Sequence, residues 1–495
     1  MELKARLLKW SAGIPVAIVN SHTAEKLGIH ENDRISIKDL SRDGKEFSTV
    51  VNIVEKIVKT NEIGISYEAE NIFNLKKGKK VEVHLAKYPL SLKFINKKVQ
   101  NQKLSKKEIE EIVKDISNNS LSEPEIALFI FGMYENEMNF NETINLINAF
   151  LKYGNQISFD GNRVVDKHCI GGVPGNRTTP IVVAICAAAG LIFPKTSSRA
   201  ITSAAGTADV IEAVAKIEFP LKKLKQIVKK TGACMVWGGS IGLVPTDSRI
   251  IRIEKMLKID SRSQMIASIM SKKLAMGSKH LLIDIPYGKG AKVSKKEGLR
   301  LKKDFEKVGK HFKLNVKVVL TDGTKPIGKG IGPKLELRDI VDILNPFEEG
   351  PKDLEKKSLF LASQILEMTK TAKKGEGLMH AKEILYSGKA LEKFLEIIRA
   401  QEGSIKDLKL DKYKKEILAS FSGKILEIDN KKINSLARIA GCPRDKSSGL
   451  YLHFNKGQKI KKGEKLLTIY SKSKPRLKEA LIYYNREKPI RIIKR

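Results

Sequence analysis

The sequence predicts an α/β protein of several domains: a β-rich N-terminal domain, a helical domain, a large α/β domain and a C-terminal α/β extension. Three observations point there. Short alternating apolar runs separated by turn residues fill positions 1 to 88. Helix-capping signals followed by apolar residues at helical spacing come next, over positions 89 to 160. From position 161 to 410, short apolar strands alternate with glycine loops and helices, and 411 to 495 reads as the extension. A chain of 495 residues has room for roughly two to four domains.

Each element has a local reason. In the first part, Arg34-Ile-Ser-Ile37 and Val81-Glu-Val-His84 alternate as half-buried strands do, and Arg42-Asp-Gly-Lys45 and Lys77-Gly-Lys79 are turn signals. His22, His30 and His84 read as surface or packing residues. In the second part, Ser105-Lys-Lys-Glu108 is a capping box, in which the Ser oxygen and the Glu carboxylate satisfy free backbone donors of the first turn. Ile109, Ile112, Val113 and Ile116 then mark a buried helix face. Ser122-Glu-Pro-Glu125 opens a second helix. The uncharged stretch Thr178 to Pro194 is interrupted by Gly190 and rich in Ala, which suits a buried helix and strand better than a membrane span. A Lys/Glu-rich helical stretch runs over about 352 to 416. The last part is expected to be strand-like, with turns at 429–432 and 461–464 separating Ile425-Leu-Glu-Ile428 from Leu466-Leu-Thr-Ile469.

Composition narrows the class. Hydrophobic residues are 41% and charged residues 30%, a globular balance. Lys and Arg total 92 against 56 Asp and Glu, a net charge of +36 that favours anionic partners. The lysines are spread along the chain and interleaved with glutamate. Aromatics are only 6%, and no zinc-finger or RNP-type motif occurs, so no dedicated nucleic-acid site is expected. The four cysteines, Cys169, Cys186, Cys234 and Cys442, are too scattered for a disulfide scaffold, and no metal site or cofactor is expected. Met1 to Ala12 has no apolar secretory segment. The expectation is a cytoplasmic protein with reduced thiols and no membrane attachment.

Two loops carry the chemistry. Val164-Val-Asp-Lys-His-Cys-Ile-Gly-Gly-Val-Pro-Gly-Asn-Arg-Thr-Thr-Pro180 reads as a strand ending at Asp166, a loop with Gly171, Gly172 and Gly175, and a helix from Thr178. Glycines let backbone amides approach an anion, and a helix N-terminus adds positive potential. Lys167, Thr178 and Thr179 would complete a phosphate cradle, although the loop is not of the GxxxxGK[ST] type. Lys195-Thr-Ser-Ser-Arg-Ala-Ile-Thr-Ser-Ala-Ala-Gly-Thr-Ala-Asp209 packs five hydroxyls before Gly206, which suits ribose and phosphate oxygens.

These two loops, with Ala267-Ser-Ile-Met-Ser-Lys-Lys273, Thr321-Asp-Gly323, Pro326-Ile-Gly-Lys-Gly-Ile-Gly-Pro333 and Glu336, resemble the thymidine/pyrimidine-nucleoside phosphorylase family over about residues 89 to 495. Within it the chain is most similar to the archaeal AMP phosphorylases. The proline in Gly-Gly-Val-Pro-Gly-Asn at 171 to 176, the segment Ser198-Arg-Ala-Ile-Thr-Ser203 and the extra N-terminal β domain select that branch.

The resemblance implies a helical domain plus a large α/β domain of the pyrimidine-nucleoside phosphorylase type. Residues 245–275 would return to the helical domain, and the protein would be a homodimer or larger homo-oligomer. It implies phosphorolysis of AMP, with CMP and UMP left open, to the free base and ribose 1,5-bisphosphate. Asp260 would protonate the departing base. A carboxyl group does this only in its protonated form, which burial or neighbouring carboxylates and phosphates favour. Gly172, Ser198, Arg199, Ala200, Ile201, Thr202, Ser203, Thr207, Ser268 and Lys292 match nucleotide-binding positions. Lys167, Thr179, Ser197 and Thr207 match phosphate contacts, and Lys272 joins Ser268 as a base contact. Arg199 or Lys292 would supply the charge for a 5′-phosphate.

Two departures stand out. Cys169 replaces a phosphate-binding Ser with a weaker donor. Ile253 stands where pyrimidine-specific members carry Arg, with Arg252 beside it. The alternative reading is a pyrimidine-nucleoside (thymidine) phosphorylase. A nucleic-acid-binding protein and a phosphoribosyltransferase are further rivals.

Overall fold

The computed structural model describes residues 1–11, 15–31, 33–40, 46–73, 75–86, 88–200, 203–406, 408–410 and 412–494. The turn expected at 42–45 lies outside the described residues. The chain divides into two units: Met1–Tyr153 with Pro245–Ala267, and Gly154–Val244 with Ser268–Arg495.

The first unit begins with a closed six-stranded barrel. Glu2–Leu7 is followed around it by Glu62–Ile65, Val16–Asn20, Glu46–Val54, Arg34–Asp39 and Lys80–Leu85, which returns to the first strand. Alternation builds it: Leu3 and Ala5, Ile35 and Ile37, Ile63 and Ile65, and Val81 and Val83 all point inward as every second residue of their strands. His22, His30 and His84 are exposed.

Helices Ser91–Val99, Lys106–Ser117, Glu123–Glu135, Phe140–Lys152 and Pro245–Leu257 complete this unit, with the first turns of Arg262–Ala275. The capping box forms: Glu108 Oε2 accepts from the Ser105 N–H at 2.6 Å, and Ser105 Oγ accepts from the Glu108 N–H at 3.4 Å. Ile109, Ile112, Val113 and Ile116 are fully buried. Ile253 is also core, whereas Arg252 pairs with Glu123.

The second unit is organised on parallel strands. Asn315–Asp322, His280–Tyr287 and Val165–Cys169 lie side by side. The bridge between Val164 and Ile192 continues the array to Phe193–Ser197 and Ala233–Trp237. Thr178–Ala188 is almost wholly apolar because it is buried all round: its own Val182 and Ile185 belong to one core with Phe193, Leu361, Ile365 and Phe394 of other elements. Helices Lys352–Met368, Gly377–Tyr386 and Lys389–Ala400 occupy the Lys/Glu-rich stretch, which turns into strand at Tyr413.

Two local expectations change. The strand after Val164 runs on past Asp166 to Cys169, so Lys167, His168 and Cys169 are strand residues. Residues 429–432 are a helix start and not a turn: Asp429 accepts from the N–H groups of Lys431 and Lys432, and Asn430–Ala440 follows. Ile433, Leu436, Ala437 and Ala440 bury one face of that helix, which packs on the helix Lys474–Glu487 and on the strands Gly449–Leu452 and Lys465–Ser471 of a small antiparallel sheet. No described helix is long and apolar enough to cross a membrane.

Candidate functional site

The strand Val165–Cys169 carries two charge clusters, one on each face, because successive side chains point to opposite sides. Lys167 and Cys169 share one face. Lys167 is fully buried, and its Nζ donates to Thr178 Oγ1 at 2.8 Å and Thr179 Oγ1 at 3.3 Å. Burial holds this lysine below its ordinary pKa, against the pull of Cys169 and Asp284. Asp284 lies level with Cys169 on the next strand. It is paired with Lys357 Nζ at 3.0 Å and accepts from Thr321 Oγ1 at 2.6 Å. Burial alone would raise its pKa, but Lys357 and Lys167 outweigh that and hold it ionised. Burial pushes the Cys169 thiol up, and its sulfur accepts from the Asn176 amide at 3.3 Å. The glycine loop is shaped by necessity: at Gly175, φ is 69°, and a Cβ would lie 2.2 Å from the Ile327 carbonyl oxygen.

Asp166 and His168 occupy the opposite face. Asp166 is fully buried between two buried lysines, with Lys195 Nζ at 3.0 Å and Lys273 Nζ at 2.7 Å. Two ammonium groups on one carboxylate leave a surplus positive charge away from water. Burial and this crowding bring Lys273 down to about 7, and burial with the surrounding lysines 273, 195, 272 and 167 keeps His168 neutral. Beside the cluster, Thr196 Oγ1 and Ser197 Oγ are buried without a hydrogen-bond partner. Such groups cost about 1–3 kcal/mol each until a partner arrives.

The lowered pKa has a consequence for stability. The unfolded chain holds the Lys273 proton up to the ordinary lysine value near 10.5, whereas the folded chain releases it near 7. The unfolded state therefore binds more protons across that window, and stability rises with pH through it. Lys273→Met leaves one lysine on one carboxylate. Between pH 7 and pH 9 the wild-type melting temperature should climb relative to the variant's; parallel curves would refute the surplus-charge account.

The hydroxyl loop is anchored at both ends. Asp209 Oδ2 accepts from Ala200 N at 2.7 Å and Gly206 N at 2.8 Å. Arg177, from the glycine loop, joins it: Nε meets Glu336 Oε2 at 2.6 Å, and the guanidinium donates to Thr207 Oγ1 at 3.1 Å and to the Ala205 carbonyl at 2.6 Å. Arg199 stacks 4.9 Å from the Trp237 ring centroid. It is clasped by Glu212 at 2.5 and 2.7 Å and by Glu218 at 3.1 Å. The guanidinium holds the Glu212 carboxyl down at about 2. Ser203 donates to the Ala205 carbonyl, and Ser198 borders the loop. Ile201 and Thr202 lie outside the described residues.

Elsewhere in the second unit, Lys272 Nζ donates to Ser268 Oγ at 3.0 Å, so the two share one helix face. Lys292 packs on Gly172: a Cβ there would come within 3.1 Å of the Lys292 backbone nitrogen. The structure thus groups Lys167 with Thr179 on one face of the central strand, Arg177 with Thr207, and Gly172 with Lys292. Asp260 belongs to the first unit, exposed between helices Pro245–Leu257 and Arg262–Ala275. Among the described residues no group of His, Cys, Asp and Glu is placed to hold a metal ion.

Sequence reasoning missed Asp166, Lys195, Lys273, Asp284, Lys357 and Arg177 as members of these clusters. The available signal was a run of charged residues inside an otherwise apolar parallel strand, where strands are normally apolar throughout.

Comparison with known proteins agrees in register with this layout. The Glycosyl transferase family a/b domain matches residues 161–391, its helical bundle domain matches 92–154, and the Pyrimidine nucleoside phosphorylase C-terminal domain matches 424–490. Anthranilate phosphoribosyltransferase from Thermus thermophilus shares the fold, at a TM-score of 0.53 and 16% identity over 62% of this chain and 99% of that one. The AMP phosphorylase of Pyrococcus furiosus is 42% identical over 497 residues, covering 99% of this chain and 98% of its own. That of Methanococcoides burtonii is 40% identical over 97% of this chain and 95% of its own. AMP phosphorylase 1 of Archaeoglobus fulgidus is 40% identical over 99% and 97%. Identity at this level from end to end, with the barrel, helical and α/β parts all included, means that the chain belongs to the AMP phosphorylase family of glycosyl transferases.

Proposed function

We propose that the protein is a glycosyltransferase that cleaves AMP with inorganic phosphate, yielding adenine and ribose 1,5-bisphosphate. The observation that carries this reading is the end-to-end identity of about 40% to proteins named AMP phosphorylase. The geometry supports it with a buried cation, paired hydroxyls and a glycine loop at one strand end, which suit an anion.

A phosphate oxygen forms a bond to C1′ as the N-glycosidic bond breaks, through an oxocarbenium-like transition state. The bonding electrons leave with the base, which takes a proton from Asp260. Lys167, Thr179, Ser197 and Thr207 hold phosphate. Gly172, the segment from Ser198 to Ser203, and Lys292 hold the nucleotide, and Ser268 and Lys272 meet the base.

Incubating the protein with phosphate and either AMP or adenosine tests the reaction. Phosphate-dependent adenine release from AMP is expected. Release from thymidine or uridine in its place would favour a pyrimidine-nucleoside phosphorylase, a reading that the core position of Ile253 does not favour.

The 5′-phosphate assignment has its own test. Arg199 is already engaged by two carboxylates, so Lys292→Ala should weaken AMP far more than adenosine, and Arg199→Ala should do so less. Equal losses for both ligands would overturn the assignment. We place the enzyme in the cytoplasm as a homo-oligomer; exposed Phe131, Tyr134, Met256 and Leu257 on helices of the first unit support an association surface.

A further inference from the structure

The C-terminal extension touches the nucleotide loops directly. Its helix Asn430–Ala440 is capped by Asp429, whose Oδ1 accepts from Lys431 N at 2.9 Å and Lys432 N at 3.0 Å. The helix therefore does not need the side chains of Asn430 and Asn434 for its own start. Both asparagines are buried and reach across to other loops. Asn430 Nδ2 donates to the Gly323 carbonyl at 2.8 Å and the Gly290 carbonyl at 3.4 Å. Both partners are acceptors, so the amide nitrogen must face them. Its Oδ1 makes no hydrogen bond. Asn434 Oδ1 accepts from Ala204 N at 3.0 Å.

Gly290 belongs to the tight loop 288–292, where Gly288 and Gly290 have φ of 119° and 81°. That loop ends in Lys292, whose backbone lies against Gly172. Ala204 directly follows Ser203 of the hydroxyl loop. One helix of the extension thus holds the Lys292 loop from outside with one side chain and the end of the hydroxyl loop with another. All three bonds join a buried side chain to backbone, the kind that fixes a loop's position.

We propose that Asn430 and Asn434 are positioning residues for the nucleotide. They set the Lys292 loop and the end of the hydroxyl loop at Ser203 at the spacing that AMP requires, and this makes the extension part of the binding site. The inference rests on the reading of those two loops as nucleotide-binding.

The two side chains act in opposite senses, one as donor and one as acceptor, and a single replacement separates them. Asn430→Asp puts carboxylate oxygens against two carbonyls while suiting the first turn of its helix, where negative charge is favourable. Asn434→Asp keeps an acceptor for Ala204, and Asn434→Leu does not. Steady-state kinetics on the full chain would vary AMP and phosphate separately, with thermal unfolding in parallel. In Asn430→Asp and Asn434→Leu the KM for AMP should rise about tenfold, with the KM for phosphate within about twofold of wild type. Asn434→Asp should restore most of the AMP affinity lost in Asn434→Leu. If Asn430→Asp fails to fold, the Asn434 pair carries the test alone. An unchanged KM for AMP, equal rises for both substrates, or no rescue by Asn434→Asp overturns the proposal. A wild-type chain that releases no adenine from AMP overturns the nucleotide reading itself, and the inference with it.

Discussion

Asp166→Asn should destabilise the protein by about 3–5 kcal/mol, the usual cost of leaving a buried charge without its partner. The reason lies in the stoichiometry. Asp166 serves Lys195 and Lys273 together, and both ammonium groups are almost completely shielded from water. An amide at 166 can accept hydrogen bonds but cannot balance either charge. Urea denaturation measures the loss. The same cluster predicts its own remedy: replacing buried ion groups by apolar ones of similar volume is often neutral or better. Asp166→Asn combined with Lys195→Met and Lys273→Met should therefore be more stable than Asp166→Asn alone. A triple variant as unstable as the single one would show that the carboxylate does something other than neutralise.

Asp260→Asn should lower kcat by about 10²- to 10⁴-fold, the range that a positioned general acid supplies. The KM for AMP should change little, because the proton moves only as the base departs. Asp260 is exposed, so thermal stability should stay near the wild-type level. That separation distinguishes a chemical role from a structural one. A second substrate sharpens it: a purine nucleotide methylated on N7 departs as a neutral base without a proton, and the variant should cleave it nearly as fast as wild type does. Comparable losses on both substrates would remove Asp260 from the proton transfer.

What could be read in advance was what is local. Ser105 and Glu108 are three residues apart, and the capping box formed as expected. The glycine loop, with Lys167, Thr178 and Thr179, is likewise contained in one short segment. The charge clusters were not legible, because their members are distant in sequence: Lys195 and Lys273 are 29 and 107 positions from Asp166. Nothing local tells a buried lysine from the many solvated ones in a chain of net charge +36. Arg199 shows the same limit from the other side. Its residue type suggested an anion-binding charge, but Glu212 and Glu218 fold back onto it. The helix at Asn430 was missed for another reason. Asp429-Asn-Lys-Lys432 has the composition of a turn, and the apolar spacing of Ile433, Leu436, Ala437 and Ala440 that marks a helix begins only after it.

The alternation along Val165–Cys169 has a further effect. In an all-aliphatic strand buried on both sides, a one-residue slip exchanges one apolar side chain for another. Here a slip of one residue would carry Asp166 to the side of Lys357 and Lys167 to the side of Lys195 and Lys273, massing three ammonium groups where one carboxylate now sits. Misaligned forms of this strand are thus excluded by charge repulsion. A single-residue insertion or deletion here should be far less tolerated than one in the exposed turn around Gly161 that precedes the strand.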